Sequence, residues 1–277
     1  MAHRKGHVWT AGKLDFLERY LPAFQLACKQ FWPTESEPEH SNTYYVDGFS
    51  GPGTNQIGSS VRRGSPLIAA SVNPPFRKAY FVEKMVQPYR QLVENLQTPE
   101  LSDRSDRIEV TRGDFNALVD QILASRRPGL PTFFFLDPEG LELEWSTVEK
   151  IGRAGRADLF ILISAGGVTR CAGSPPTHGS VTRFYGHEDW RPIADHMDPD
   201  HVIGQSKFDA FVQLYLKGLR GLGFDHVERY LVAKNSQNSS MHALVFAAKN
   251  RTALKIAEDI LRKIEHEQQG AAPLFDI

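Results

Sequence analysis

Cysteine is nearly absent. Only Cys28 and Cys171 occur in 277 residues, far apart and in unlike surroundings, which argues against a disulfide framework or a zinc site. No sign of charge prevails: 32 Lys and Arg stand against 33 Asp and Glu, a formal net charge of -1. That balance speaks against a general electrostatic grip on nucleic acid and leaves room only for a local basic face. No apolar run approaches the roughly 20 residues of a membrane helix. The charged start "MAHRKGHVW" has no apolar stretch behind it, so no secretory signal is expected and a reducing cytoplasm is the expected compartment. Also missing is a Gly-x-x-x-x-Gly-Lys-Ser/Thr loop, which argues against a nucleoside triphosphate. No metal site is expected.

What is present fits an ordinary globular chain, 41% hydrophobic and 23% charged, large enough to build a core without staples. Leu14, Leu17, Leu21, Phe24, Cys28 and Phe31 recur at helical spacing between residues 11 and 31, with Pro22 expected to bend or split the helix. Cys28 on that stripe reads as a small buried hydrophobe. Beyond it, strands ("TYYVD", "KAYFVE", "RIEVTRGD", "PTFFFLD", "ADLFILIS") alternate with helices ("GSPLIAAS", "PYRQLVENLQ", "FNALVDQILASR", "WSTVEKIGRAG"). This rhythm predicts a parallel sheet with helices on both faces. The unbroken apolar runs "FFFL" and "LFILI" predict strands buried on both sides. Ser65 is the expected N-cap of the "GSPLIAAS" helix, with Pro66 at its first position.

The end of the chain changes rhythm. A helix, "SKFDAFVQLYLKGLRGLG", precedes "HVERYLVAK" and "MHALVFAAK", which the turn-rich "NSQNSS" joins as adjacent antiparallel strands. A last helix follows, and the tail "EQQGAAPLFDI" is either a docking segment or packs back on its own domain. "TNQIGSSVRRG" and "GGVTRCAGSPPTHG" read as loops, the second long and mobile enough to cover a substrate. No internal repeat is visible. The expected organisation is a helical extension, residues 1–40, followed by one α/β domain, residues 41–277.

Three acids end successive strands at one edge of that sheet. Asp47 comes first, in "DGFSGPG", with Gly48, Phe49, Gly51 and Gly53. Glu83 ends the second strand, and Asp114, followed by Phe115, the third. Each has a structural alternative, as turn former or helix cap. Together they mark the crevice at the carboxyl ends of the strands, where ligands bind in such sheets. A dinucleotide fingerprint would open directly into a helix, whereas here the helix waits until Pro66. Asp137, in "FFFLDPEG", ends the fourth strand, with Glu139 and Glu142 close behind. Arg62 and Arg63 sit beside the glycines and either steer an anionic substrate or are simply solvated.

"DGFSGPG" resembles the first motif of class I methyltransferases, D-x-F-x-G-x-G, and the terminal strand pair resembles the hairpin that ends their sheet. The resemblance implies a Rossmann-like fold: a mostly parallel seven-stranded sheet, a C-terminal antiparallel hairpin and helices on both faces. It also implies S-adenosyl-L-methionine as cofactor. Gly48, Phe49, Gly51 and Gly53 would approach it, Asp47 attract its ammonium and sulfonium, Glu83 accept from its ribose hydroxyls, Asp114 accept from the adenine amine, and Phe115 stack on the ring. Asp137 stands where the methyl acceptor sits, to orient it or take its proton, with Glu139 as a second carboxylate. In methyltransferases acting on base amines the matching corner reads D/N-P-P-Y. Glu139 and Gly140 depart from that, which speaks against a base amine. No cysteine is there for cytosine-ring chemistry.

A more particular pattern joins Trp9, Lys13, Leu14 and Tyr20-Leu21, then "YVDGFSGPG", "GSPLIA", "FFLDPEG", Arg170, "VTRFYGHEDW" and "MHALVFAAKN". It resembles the three-Cys-motif partner protein family. That resemblance implies a methyltransferase-like protein working beside a partner whose three-cysteine motif is similar to radical S-adenosylmethionine enzymes. The methyl acceptor stays open, nucleic acid included, as does a role as a binding subunit with no transfer of its own. Arg170 and Arg183, with Phe184, Gly186 and Trp190, match the family's motif after the fifth strand. Such arginines either clamp a phosphate or carboxylate or pair with acids to hold a long connection down.

Overall fold

The structure, a computed structural model, describes residues 4–6, 8–33, 40–196, 207–234 and 240–270. The turn of the terminal hairpin (235–239) and the end of the tail (271–277) lie outside the described residues. Strand β1 (Arg4–Gly6) and helix α1 (Val8–Ala27) come first, the helix running on through Pro22. Then follow β2 (Tyr44–Asp47), β3 (Thr54–Ile57), β4 (Ser60–Arg63), α2 (Ser65–Ala70), β5 (Lys78–Glu83), α3 (Val86–Leu96), β6 (Ile108–Arg112), α4 (Phe115–Ser125), β7 (Thr132–Leu136), α5 (Trp145–Arg153) and β8 (Ala157–Ser164). The chain continues with α6 (Ala165–Ala172), α7 (His178–Tyr185), α8 (Arg191–His196), α9 (Lys207–Gly221), β9 (His226–Lys234), β10 (Ser240–Ala248) and α10 (Arg251–Gly270).

Seven strands form one sheet in the order β6-β5-β2-β7-β8-β10-β9. The first five are parallel neighbours, and β10 runs antiparallel to both β8 and β9. This is the parallel sheet expected from the strand–helix rhythm, closed by the antiparallel hairpin, and it has the Rossmann-like arrangement that the resemblance implied. Alternation along the buried strands serves two cores. Phe133 and Phe135 face α1, α2 and α10, whereas Phe134 and Leu136 face α4, α5, α7 and α9. The apolar runs read from the sequence are therefore two half-cores threaded on single strands.

Three local readings need correction. The helix expected as an extension is a layer of the main domain. Phe16, Leu17, Tyr20 and Leu21 are fully buried, Phe16 stacks on Phe160 at 4.5 Å between ring centroids, and Arg19 reaches Glu267 of α10 at 2.5 Å. The "TNQIGSSVRRG" segment is a hairpin of β3 and β4, with β1 parallel to β3. It turns at Gly58-Ser59, where Gly58 takes φ +58, a conformation open to glycine in a two-residue hairpin turn. The supposed mobile loop after β8 is α6 and α7: Ser164 caps α6 by accepting from Gly167 N, and Val168, Ala172, Val181 and Phe184 are buried. That apolar stripe outweighed the Gly, Ser and Pro content. Among the described residues no helix is long and apolar enough to cross a membrane.

Candidate functional site

The carboxyl ends of β2, β5, β6 and β7 meet at a cleft of about 620 Å³, inside the usual range for small-ligand sites. Gly48, Phe49 and Gly51 line it from the loop after β2, Glu83 from β5, Gly113, Asp114 and Phe115 from the turn after β6, and Asp137, Glu139 and Glu142 from the corner after β7. Gly53 lies one residue outside that lining. Gly51 and Gly53 both take left-handed φ, +62 and +81, which an L side chain would strain. Ser50 N donates to Val82 O at 2.9 Å, Gly64 N to Gly53 O at 2.7 Å and Asn95 Nδ2 to Pro52 O at 2.8 Å, so the loop is held on three sides.

Glu83 is 9% exposed. Its Oε2 accepts from Gly51 N at 2.8 Å and its Oε1 from Met85 N at 2.7 Å. A carboxylate oxygen has two lone-pair directions, so each oxygen keeps one for a second donor. Asp114 caps α4, accepting from Asn116 N at 2.9 Å, and Lys84 Nζ reaches its other oxygen at 2.9 Å. Burial raises its pKa, but Lys84 and the Asn116 bonds outweigh that and hold it below the ordinary carboxylate value. The cap and the cleft lining are thus one residue in two roles. Phe115 is buried and meets Phe49 edge-on at 6.0 Å. A Cβ on Gly48 would stand 2.8 Å from Phe115 Cδ1, so glycine there lets the ring lie where it does.

Asp47 departs from its expected role. It is 0% exposed and does not line the cleft. Its Oδ1 accepts from Phe49 N at 3.2 Å, its Oδ2 from Tyr45 OH at 3.4 Å, and the Ser65 hydroxyl bonds it as well. This explains why Gly64, and not Ser65, is the N-cap of α2. Burial pushes the Asp47 carboxyl up to about 7, partly offset by the Ser65 and Phe49 bonds. A residue so enclosed shapes the glycine loop from behind the cleft lining.

The raised value has a pH signature. Between the ordinary value of 3.8 and about 7 the native state holds a proton that the unfolded chain has lost. The stability contributed by that protonated form is complete below about pH 4 and is lost as pH rises to about 7. Asp47→Asn keeps the shape and removes the titration, since the Tyr45 and Ser65 hydroxyls can accept from the amide. Urea unfolding at pH 4.5 and pH 8 is expected to show a smaller loss in the variant than in the parent, by on the order of 1–3 kcal/mol. Equal losses would mean that Asp47 titrates normally.

Asp137 is 7% exposed, and Lys13 Nζ of α1 donates to its Oδ2 at 2.6 Å. Lys13, at 5% exposure, entered the sequence reading only as part of the family pattern, with no role assigned to it. The signal was there: positions 13, 17, 20, 21 and 24 share one face of α1, so a charge had been set into the buried stripe. Glu139 and Glu142 are exposed, and Glu142 accepts from Gly140 N at 2.6 Å.

None of the four arginines lines the cleft. Arg62 pairs with Asp15 at 2.7 Å and Glu18 at 3.6 Å, and Arg63 with Glu18 at 3.8 Å. They tie the hairpin to α1 and are poorly placed to steer an anion. Arg170 is exposed on α6. Arg183 lies 3.6 Å from Glu144 and donates to Ser180 Oγ at 3.1 Å. Trp190 is fully buried; its Nε1 donates to Thr182 Oγ1 at 3.1 Å, and its ring packs against His178 and Arg191. Arg183 and Trp190 are thus engaged within the connection after the fifth strand. Among the described residues no cluster of three or more His, Cys, Asp or Glu could hold a metal ion.

No protein-family model matches the chain, and no curated protein matches it either. Solved structures do. Protein LPL1258 of Legionella pneumophila, from the DUF519 family, superposes with a TM-score of 0.55 at 12% identity over 90% of each chain. Trm1 of Pyrococcus horikoshii, solved with S-adenosyl-L-methionine, matches at TM-score 0.44 and 12% identity over 91% of this chain and 57% of its own. The fibrillarin pre-rRNA processing protein of Methanococcus jannaschii matches at 0.42 and 11% over 80% of this chain and 73% of its own. The first is a likeness of fold alone, and the other two are too loose to add to it; with the strand order, the first bears out the Rossmann-like α/β fold with a mostly parallel seven-stranded sheet and a C-terminal antiparallel pair.

Proposed function

We propose that the protein is an S-adenosyl-L-methionine-dependent methyltransferase whose cofactor lies in the cleft between β2, β5, β6 and β7. The observation that carries this is Glu83: a buried carboxylate, oriented by two backbone N–H groups, with lone pairs left for a vicinal diol at the end of the second strand. When bound, the cofactor supplies an activated methyl group on a sulfonium. The chain's own residues do the rest. Glu83 accepts from the ribose hydroxyls, Asp114 accepts from the adenine amine, and Phe115 with Phe49 walls the ring. Gly48, Gly51 and Gly53 let the backbone approach the amino-acid end. Asp137 and Glu139 face the acceptor and align it with the methyl group.

The acceptor and the partner belong to the same proposal. The family resemblance supports work beside a three-cysteine-motif radical-SAM-like protein. Nucleic acid is the weaker acceptor candidate, because Arg62, Arg63 and Arg183 are engaged by acids and lie off the cleft. A second reading, a cofactor-binding subunit without transfer of its own, is favoured by the Asp137–Lys13 bond, which already occupies one oxygen at the acceptor corner. Single-turnover assays with labelled cofactor, with and without the partner, separate the two.

Cofactor identity is tested first. At about 100 Kd, S-adenosyl-L-methionine is expected to add about 2.7 kcal/mol of stability, and NAD none. Denaturant melts showing stabilisation by NAD alone, or by neither ligand, overturn the proposal.

A further inference from the structure

At the end of the sheet opposite the cleft, Arg126 sits in the connection from α4 to β7 and is 8% exposed. Its Nη1 donates to Thr132 Oγ1, its guanidinium lies over the Phe134 ring at 5.5 Å, and its Nε is buried with no acceptor. Among the described residues no carboxylate pairs with it. Burial lowers its pKa, and Tyr44 and Tyr80 offset this only in part. Taking an unpaired cation out of water costs several kcal/mol, more than a contact with a ring returns. Stability of the fold does not call for this arginine.

Exposed cations surround it. Arg127 follows directly. Arg156 O accepts from Thr132 N at 2.9 Å, beside the Arg126 contact, and the Arg156 side chain lies over Phe31 at 5.1 Å. Arg153 closes α5, next to Gly152, whose carbonyl accepts from Lys249 Nζ. Arg127, Arg153 and Arg156 are exposed and form no ion pair among the described residues. The acids near them in the chain do not offset them. Asp158 is engaged by the Tyr20 hydroxyl at 3.4 Å, and Glu149 pairs with none of these arginines. The β5–β6 side of the same edge is different, since Lys78, Arg104 and Arg107 each have an acid within 4.0 Å.

Register fixes the layout. Thr132 stands opposite Ala157, and Asp158 opposite Ala248. Neighbouring strands lie about 4.8 Å apart, so the arginines front a strip about 10 Å wide, which suits a run of phosphates better than one small anion. Guanidinium forks bond phosphate oxygens in pairs. Arg156, braced on Phe31, is also the kind of group on which unpaired bases stack, which favours nucleic acid over an acidic protein.

We propose that this end of the sheet is a docking surface for single-stranded nucleic acid, whose phosphates Arg127, Arg153 and Arg156 hold over the buried Arg126. The length of β7, five residues or about 16 Å, separates it from the cleft, so the strand is held there as a tether, away from the methyl-transfer site. The surface does not depend on the cofactor assignment, and its failure leaves that assignment standing.

Fluorescence anisotropy with a labelled, unstructured oligonucleotide of about 20 nucleotides, between about 50 and 200 mM salt, tests it. The parent is expected to bind with log K falling against log salt at a slope of about −2, as three phosphate contacts give. Arg127→Gln, Arg153→Gln and Arg156→Gln combined are expected to weaken binding about tenfold or more at the lower salt and to flatten the slope. Arg90→Gln, Arg112→Gln and Lys263→Gln combined remove the same charge from exposed positions elsewhere and are expected to bind as the parent does. Equal losses in the two variants, or no binding by the parent, overturn the proposal. Polyglutamate of like length binding as tightly as the oligonucleotide overturns it too, in favour of an acidic protein. Arg126→Met is expected to melt no lower than the parent and to bind about threefold more weakly. A lower melting temperature with affinity intact makes the buried cation structural and overturns its place under the phosphates.

Discussion

Glu83→Ala is expected to weaken S-adenosyl-L-methionine binding about 10- to 100-fold by isothermal titration, an equivalent of about 1–3 kcal/mol. Two effects add. A buried diol loses its acceptor, and the N–H groups of Gly51 and Met85 lose theirs. The second effect acts on the empty protein as well, so it is read separately, as a lower melting temperature without ligand. Glu83→Gln keeps one acceptor oxygen and should fall between the two. Its amide nitrogen would face one of the backbone donors, so its loop is also expected to loosen. Unchanged affinity in Glu83→Ala removes Glu83 from the site, and with it the observation on which the cofactor assignment leans most.

The fold was legible because two periodicities did not conflict. Strands of five to eight residues, apolar on both faces, alternated with helices whose stripes repeat every three to four. The acids at the strand ends were legible too, since strand, acid and glycine is a local pattern. What stayed hidden depended on partners far along the chain. Asp47 looks like Glu83 in sequence, but Tyr45 and Ser65 enclose it, and nothing local says so. Arg62 and Arg63 look available until Asp15 and Glu18 come around on α1. The hairpin of β3 and β4 was a missed local signal, for Gly58-Ser59 between two short β-prone runs is a recognised turn pattern.

Lys13 shows a different kind of gap. Its place in the stripe of α1 was visible, yet the stripe was read for its apolar members. A charge in such a stripe has to meet a buried partner, and only the tertiary arrangement says that this partner is Asp137, 124 residues away. The helix first read as an extension therefore carries a piece of the site. Truncating residues 1–40 would strip both a sheet face and the cation at the cleft floor.

Gly186→Ala is expected to cost the largest share of stability among the changes considered, about 2–5 kcal/mol, seen as a melting temperature lower by about 5–15 °C. Gly186 ends α7 in the left-handed region, φ +79, with its N–H donating to Thr182 O at 2.7 Å. An alanine there carries about 1–2 kcal/mol of backbone strain. Its Cβ would also stand 2.7 Å from Cγ of Trp145 and closer still to Cδ1. Trp145 has little room to withdraw. Its far edge lies against Gly218, where a Cβ would come within 2.6 Å of the ring, and Tyr215 meets it edge-on at 5.2 Å. Overpacking of this kind adds about 1–3 kcal/mol. Gly221→Ala is the control, because it has ordinary φ and open space around its Cβ, and it should move the midpoint little. The same experiment reads the motif after the fifth strand. A large loss at Gly186 with cofactor affinity preserved assigns that motif to holding α7 against α5 and α9, whereas a selective loss of binding with stability intact would return it to the site.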